Sequence, residues 1–398
     1  MSGPLRFEIL APSRSTLART GRIATPHGSF DTPAFMPVGT RASIKGVLPD
    51  LVEQTGTQII LNNAYHLMLR PGDGLVAQLG GVHAFMRWPG PVLTDSGGYQ
   101  AFSMSDINRI DDDGVTFRSI VDGSLIRLTP ERSMEVQNNL GADIIMAFDD
   151  CPPAQECGER VETDEHSNRS MIEPSKPVAI ERETAQRLAI ANERTARWLE
   201  RCVASHQRPH EQALFGIVQG GVDLALRSRS VEMICNIDLP GYAIGGVAVG
   251  ESPELIHSVV RHTAPLLPPE KPRYLMGVGY ERDIVEAVRA GIDMFDCVLP
   301  TRNGRNANAF TREGRLHLRN SAHREDSQPI DSTCDCAACG GGFSRAYLRH
   351  LFLAGEMLGP ILVSLHNIRH FQRLMLDIRA AIREDAWSWL AAGWPVLG

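Results

Sequence analysis

From about residue 30 to residue 297 the chain repeats one pattern of hydrophobic and polar positions. A short apolar run ends in a polar or glycine-rich turn, and a charged, amphipathic segment follows. The apolar runs are Ala34–Pro37, Gln58–Leu61, Pro91–Leu93, Asp143–Phe148, Ala213–Val218, Tyr242–Ile244, Arg273–Met276 and Asp293–Val298. Each is too short for a helix and several are rich in β-branched residues, which predicts eight strands. Helix signals lie between them. Thr129-Pro130-Glu131 and Ser252-Pro253-Glu254 each supply an N-cap, a proline at the first helical position and an early carboxylate. Arg182–Ser205 is long and heptad-like, with Leu188, Ala191 and Trp198 on its predicted buried face. Eight strands alternating with helices predict an α/β fold of the (β/α)8 TIM-barrel type; a doubly wound sheet is the other arrangement the pattern allows.

Two stretches break the alternation. Pro152–Lys176 is polar and aperiodic and reads as an exposed insertion, whereas Arg302–Gly342 is basic and then cysteine-rich. Helical character returns over Ser344–Gly355 and Ser364–Ala392. The expected organisation is a barrel with an N-terminal extension over 1–301, a basic, metal-binding subdomain over 302–366 and a helical segment over 367–398 that packs on the barrel.

Composition changes this picture only in places. With 398 residues, 43% hydrophobic and 22% charged, the chain has ample core for a soluble globular protein, and disordered, collagenous or small disulfide-stapled classes are excluded. No apolar run reaches the roughly 18 to 20 residues of a membrane span, and Met1–Leu10 carries no secretory pattern, so a cytoplasmic location is expected. The net charge of −7 gives no global basic field. Only Lys45, Lys176 and Lys271 are lysines, however, and Arg302, Arg305, Arg312, Arg315, Arg319 and Arg324 cluster against only Glu313, Glu325 and Asp326. Such a cluster can neutralise the phosphates of a nucleic-acid loop.

Cys334, Cys336 and Cys339 fall within six residues, and His366 follows 27 residues after the last of them. Three thiolates and one imidazole suit a tetrahedral structural zinc with no open position. His350 and His370 are the competing fourth ligands. Gly340, Gly341 and Gly342 give the backbone freedom a metal knuckle needs.

Barrel chemistry sits at the C-terminal ends of the strands. Those ends carry Asp95, Asp149 and Asp296, the amide Gln219, and the glycine pairs Gly97-Gly98, Gly220-Gly221 and Gly245-Gly246. Single carboxylates at such places are commonly helix caps. Acids at three strand ends would converge on one mouth. Two of them facing a sugar can act as nucleophile and acid/base in a retaining displacement. An acid, an amide and glycine backbone can read the edge of a flat heterocycle, with Tyr99 and Met276 against its faces. The residues point to N-glycosidic chemistry on a nucleobase.

The segments Thr94-Asp95-Ser96-Gly97-Gly98-Tyr99-Gln100, Gly245-Gly246-Val247-Ala248-Val249-Gly250-Glu251 and Phe295-Asp296-Cys297-Val298-Leu299-Pro300-Thr301-Arg302, with the cysteine triplet and its histidine, resemble the tRNA-guanine transglycosylases, or queuine tRNA-ribosyltransferases, of the bacterial type. The resemblance runs from Arg6 to about Leu376. It implies a TIM barrel with a zinc-binding insertion near the C-terminus and one structural zinc per chain. It implies exchange of the wobble guanine of tRNA for 7-aminomethyl-7-deazaguanine, with no redox or nucleotide cofactor. Asp296 would be the nucleophile and Asp95 the acid/base. Asp149, Gln219 and the Gly246 amide would bind the base between Tyr99 and Met276. Gly245, Val247, Glu251 and Cys151 would complete the pocket, while Arg302 and Arg305 would meet the anticodon loop. Val247 stands where the bacterial pattern usually has leucine. A homodimer through Phe343, Tyr347 and His350 is also implied. Queuine as the inserted base and a non-catalytic tRNA-binding paralogue are the neighbouring possibilities, and a barrel glycosidase acting on free sugars is the one from another class.

Overall fold

The computed structural model describes residues 3–103, 108–152, 182–248 and 250–398. The sequence-predicted insertion Pro152–Lys176 and Cys157 within it fall almost wholly outside the described residues. Eight strands close into a parallel barrel: β1 (Ala34–Gly39), β2 (Ile60–Asn62), β3 (Val92–Thr94), β4 (Ile144–Met146), β5 (Ala213–Val218), β6 (Gly241–Ile244), β7 (Arg273–Leu275) and β8 (Met294–Cys297). Each coincides with one of the eight apolar runs. Closure comes from β8 pairing with β1 in the register Met294↔Ala34 to Cys297↔Pro37.

Side chains alternate along a strand, so one residue in two faces the barrel axis. Ala34, Met36, Val38, Leu61, Leu93, Ile144, Met146, Phe215, Ile217, Ala243, Tyr274 and Met294 fill the interior as one cluster. Their neighbours face the surrounding helices; Phe35, for example, stacks on Phe371 with ring centroids 4.7 Å apart. An antiparallel sheet of Arg6–Pro12, Arg19–Thr25 and Gly28–Thr32 sends Ile23 and Phe30 into the interior cluster and so closes the barrel floor. Two buried carboxylates fasten that floor. Arg19 grips Asp293 through Nε and Nη2 at 2.9 and 2.7 Å, and Asp143 accepts from the Val92 N–H and lies 2.9 Å from both His27 and His83.

The predicted helix signals hold. Helix α1 (Pro130–Leu140) is capped by Thr129, α2 (Arg182–Ser205) buries Leu188, Ala191 and Trp198, α3 (Leu224–Cys235) is capped by Asp223, and α4 (Pro253–Thr263) is capped by Ser252. Beyond β8 come α5 (Leu299–Arg305), an antiparallel hairpin of Asn308–Thr311 and Gly314–His317, α6 (Arg345–Ala354) and α7 (Leu358–Glu384). The last of these starts six residues before the predicted Ser364 and ends where Asp385 turns left-handed, so the expected helix to Ala392 is two, the second being Trp387–Gly393. Helix α7 packs closely on α5: a Cβ at Gly304 would lie 2.7 Å from the Ser364 Cα and backbone nitrogen. Two backbones cannot approach so closely around a side chain.

Replacing Gly304 with alanine therefore forces α5 away from α7. A loss of about 1–3 kcal/mol in denaturant unfolding is expected, and an unchanged midpoint would show that the crossing yields at no cost.

Candidate active site and metal group

The alternation that fills the barrel also aims its mouth. Two residues beyond the interior residues Leu93, Ile217, Ala243, Tyr274 and Met294 stand Asp95, Gln219, Gly245, Met276 and Asp296. At these five strands the mouth takes the core pattern one step further, whereas Asp149, three residues beyond interior Met146, enters it out of phase.

Asp296 sits on β8 and accepts the Tyr274 hydroxyl at 2.6 Å and the Gly277 N–H at 2.8 Å. Both bonds fall on Oδ1, so among the described residues Oδ2 carries no hydrogen bond. Asp95, just past β3, is buried and accepts from the Ala64 N–H at 2.8 Å, Gln100 Nε2 at 2.9 Å and the Asn63 amide. Burial pushes its pKa up to about 6, and the charge on Asp296 pushes the same way. Asp296 is likewise raised by burial. Asp149 is buried past the end of β4, accepts Gln219 Nε2 at 2.6 Å, and is pushed up to about 7 by burial, with neighbouring Asp150 adding to the rise. Asp150 turns the other way. It is gripped by Arg187 at 2.6 and 2.9 Å and by Arg194 at 2.6 Å, both from α2.

Around these acids lie the other predicted pocket residues. Gly246 has φ +61°, and a Cβ there would overlap Gln219 Oε1, so only glycine lets the amide and this turn share the space. Val247 is buried, Met276 and Glu251 are half-buried, and Cys151 is a half-buried thiol whose pKa burial raises to about 12, keeping it neutral. Tyr99 is 42% exposed at the rim. Arg302 and Arg305 lie on α5, directly after β8, Arg302 exposed and Arg305 half-buried. The wider arginine cluster does not act as one. Arg312 pairs with Asp377 at 2.8 Å and lies over Trp394, Arg315 lies over Tyr280 and Arg319 over Phe352.

Several side chains escaped the sequence reading. Asn63, Gln100 and Tyr274 hold Asp95 and Asp296 in place. Arg227, in the first turn of α3, is wholly buried. Its Nε donates to the Gly221 carbonyl at 2.8 Å, Nη1 to those of Val218 and Gly245 at 3.0 and 2.7 Å, and Nη2 to that of Gly246 at 2.9 Å. Nothing in an Arg-Ser-Arg run separates it from its surface neighbour Arg229. Only the carbonyls it meets do.

Cys334, Cys336, Cys339 and His366 are all buried, with ligand atoms within 4.8 Å of one another, and can hold a metal ion. His366 turns Nδ1 toward the Cys336 and Cys339 sulfurs at 3.5 and 3.3 Å and Nε2 toward the Phe310 carbonyl at 2.7 Å. That second bond fixes the ring with Nδ1 free to coordinate. Among the described residues neither alternative histidine joins this group: His370 is bound to Glu281 at 2.7 Å, and His350 lies near Tyr347.

A (β/α)8 barrel with two buried acids and a half-buried third at its mouth, followed in the chain by a Cys3His group that can hold a metal, is a narrow class of protein. The family model for queuine tRNA-ribosyltransferase matches residues 14–176 and 171–394. A queuine tRNA-ribosyltransferase of a Nostoc species is 51% identical over 97% of this chain and 95% of its own length. That of Thermus thermophilus is 51% identical over 97% and 92%, and that of Geobacillus kaustophilus 47% over 97% and 94%. The chain belongs to the queuine tRNA-ribosyltransferase family.

The raised acids make a checkable statement about pH. A folded pKa near 7 against an unfolded value near 3.9 means that the native state holds an extra proton between those values, so stability falls as pH rises through that window. Asp149→Asn, which keeps an acceptor for Gln219, is expected to raise stability by about 1–3 kcal/mol at pH 8. The gain should vanish near pH 4. Melting curves of both proteins across that range check it.

Proposed function

We propose that this protein is a tRNA-guanine transglycosylase of queuosine biosynthesis, exchanging the wobble guanine of tRNA for 7-aminomethyl-7-deazaguanine. The observation that carries the reading is the pairing of two unlike carboxylates at one mouth. Asp296 offers an oxygen, Oδ2, that carries no hydrogen bond among the described residues, and burial pushes the Asp95 pKa up to about 6.

In this reading Asp296 Oδ2 attacks the ribose C1′ as the bond to the guanine N9 breaks, and the departing base takes the bonding pair. Asp95 delivers a proton to it; a carboxyl pushed up to about 6 is a competent donor that ionises again afterwards. The incoming base then loses its N9 proton to Asp95 and attacks C1′, releasing Asp296. Two inversions return the original configuration. Tyr274 and the Gly277 N–H hold Asp296 on its other oxygen throughout. Asp149, Gln219 and the Gly246 N–H read the edge of the base, with Tyr99 and Met276 against its faces. Glu251 and the Val247 carbonyl are suited to the cationic amine of the incoming base, which needs acceptors when it leaves water. Val247 is one methylene shorter than leucine, worth only about 0.8 kcal/mol of contact, so it loosens discrimination against queuine without reversing it.

Arg302 and Arg305 would meet anticodon-loop phosphates on either side of the splayed base. The Cys334, Cys336, Cys339 and His366 group would hold one structural zinc: three thiolates and an imidazole leave no coordination position for water. Such a group stays metal-competent only while reduced, which supports a cytoplasmic location. A homodimer is supported by the ring row of Phe343, Tyr347 and His350, with centroids 5.8 and 6.4 Å apart and Tyr347 41% exposed.

Incubation with labelled guanine and unmodified tRNA tests the reaction; absence of label in the tRNA would refute it. Asp296→Asn is expected to abolish the denaturation-resistant protein–tRNA adduct, and Asp95→Asn to slow exchange by about 10²- to 10⁴-fold. An adduct formed by the Asp296 variant would move the nucleophile elsewhere.

Metal analysis should find about one zinc per chain with three sulfurs and one nitrogen around it. Cys336→Ser is expected to lose that metal and weaken tRNA binding while the barrel still melts cooperatively. A coordination shell without sulfur would overturn the assignment.

A further inference from the structure

A peptide unit is planar and trans, so its C=O and N–H point in opposite directions. The Gly245 carbonyl and the Gly246 N–H belong to one such unit. Arg227 Nη1 holds that carbonyl at 2.7 Å, and Nη2 holds the next one, Gly246, at 2.9 Å. The guanidinium thus lies behind the turn, and the Gly246 N–H is turned away from it; among the described residues this N–H has no acceptor. The same side chain fastens Val218 and Gly221, which flank the base-reading Gln219 and its glycine turn.

We propose that Arg227 is a positioning residue for base exchange: from beneath the pocket it orients and polarises the Gly246 N–H, which then acts as a charge-assisted donor to the carbonyl oxygen of the base. The inference rests on the transglycosylase reading. When the C1′–N9 bond breaks, the base takes the electron pair, and part of the resulting charge spreads onto that oxygen until Asp95 supplies the proton. A donor strengthened by a cation behind it stabilises this charge more than it stabilises the neutral bound base. Burial lowers the Arg227 pKa to about 10, which leaves it charged at neutral pH. Four carbonyls, from the end of β5 and the glycine turns after β5 and β6, define its place, so the charge does not wander. Burying a guanidinium is costly, and carbonyl dipoles offset that cost only while all four are met. That ties the shape of both loops to one side chain.

The test compares guanine with 6-thioguanine, which keeps the N1–H and amino donors but replaces the oxygen with a poorly accepting sulfur. Inhibition and exchange assays on the full-length protein give the preference for each variant. The unaltered protein is expected to prefer guanine by at least about 10-fold. Arg227→Gln is expected to lower kcat by about 10- to 100-fold, more than it raises KM, and to shrink the guanine preference toward unity. Arg227→Lys, which keeps the charge but reaches fewer carbonyls, should recover part of both. Loosening of the fold alone would weaken the two bases equally. An unchanged preference in both variants overturns the proposal, and so does equal binding of the two bases by the unaltered protein, a result that needs no variant to fold. If the unaltered protein exchanges no guanine into tRNA, the transglycosylase reading fails and takes this inference with it. If it does exchange guanine and the variants match it, only the role of Arg227 fails.

Discussion

The parallel pairing of β8 with β1 is the contact on which the rest of this structure depends. Until Met294–Cys297 lies beside Ala34–Pro37 the sheet has two open edges and no interior. Once they pair, the alternating apolar residues of eight strands share one dry column, and the polar residues that continue the same alternation are brought to one mouth. Register has no freedom here, because a slip of one residue would turn Met294 outward and take Asp296 with it. The floor carboxylates Asp293 and Asp143 enforce the same register from below, since both belong to the residues that lead into β8 and β4. Core and site are therefore one pattern read at two heights.

The acids at the mouth owe their chemistry to that burial. Each is desolvated enough to hold its proton more tightly than a surface carboxylate. Each is then given a particular set of donors that decides how far the rise goes. Asp95 has three donors and a neighbouring charge, Asp149 has Gln219, the Ser96 hydroxyl and a like-charged neighbour, and Asp296 has Tyr274 and a backbone amide on a single oxygen. Three chemically identical side chains thereby come to differ in protonation and in which oxygen is available. The stability given up by burying them belongs to the familiar tension between a functional site and the fold around it.

Much of this is legible in the sequence. The eight apolar runs became the eight strands because short β-branched stretches bounded by turns have little else to become, and errors are confined to ends, as where Gln58–Leu61 settled at Ile60–Asn62. The caps Thr129 and Ser252 were local signals and held locally. The floor sheet carries no such signal, because Arg19–Thr25 alternates poorly and its inward residues are fixed by the barrel above, not by its own pattern. The Asp, Gln and Gly residues of the mouth announce themselves by standing after strands. Asn63, Tyr274 and Arg227 do not, because each is defined by partners on other elements that only the folded barrel brings to it. The arginine cluster shows the opposite failure: charge density in sequence suggested one surface, while Asp377 and the aromatic rings divide it.

Asp149 and Asp150 are adjacent in the chain yet serve different masters, one facing the pocket and the other locked to Arg187 and Arg194 on α2. The second contact ties the start of the connection between β4 and α2 to the helix that ends it, because Asp150 follows shortly after Met146 while Arg187 and Arg194 lie within α2. With those two points fastened, the placement of Asp149 does not depend on how many residues join them beyond Cys151. Lengthening such a connection is cheap, about 0.6 kcal/mol for each doubling. The salt bridge thus marks a point where insertions can accumulate over evolutionary time without retuning the acid next door, and where a foreign segment could be grafted with the least disturbance to the barrel.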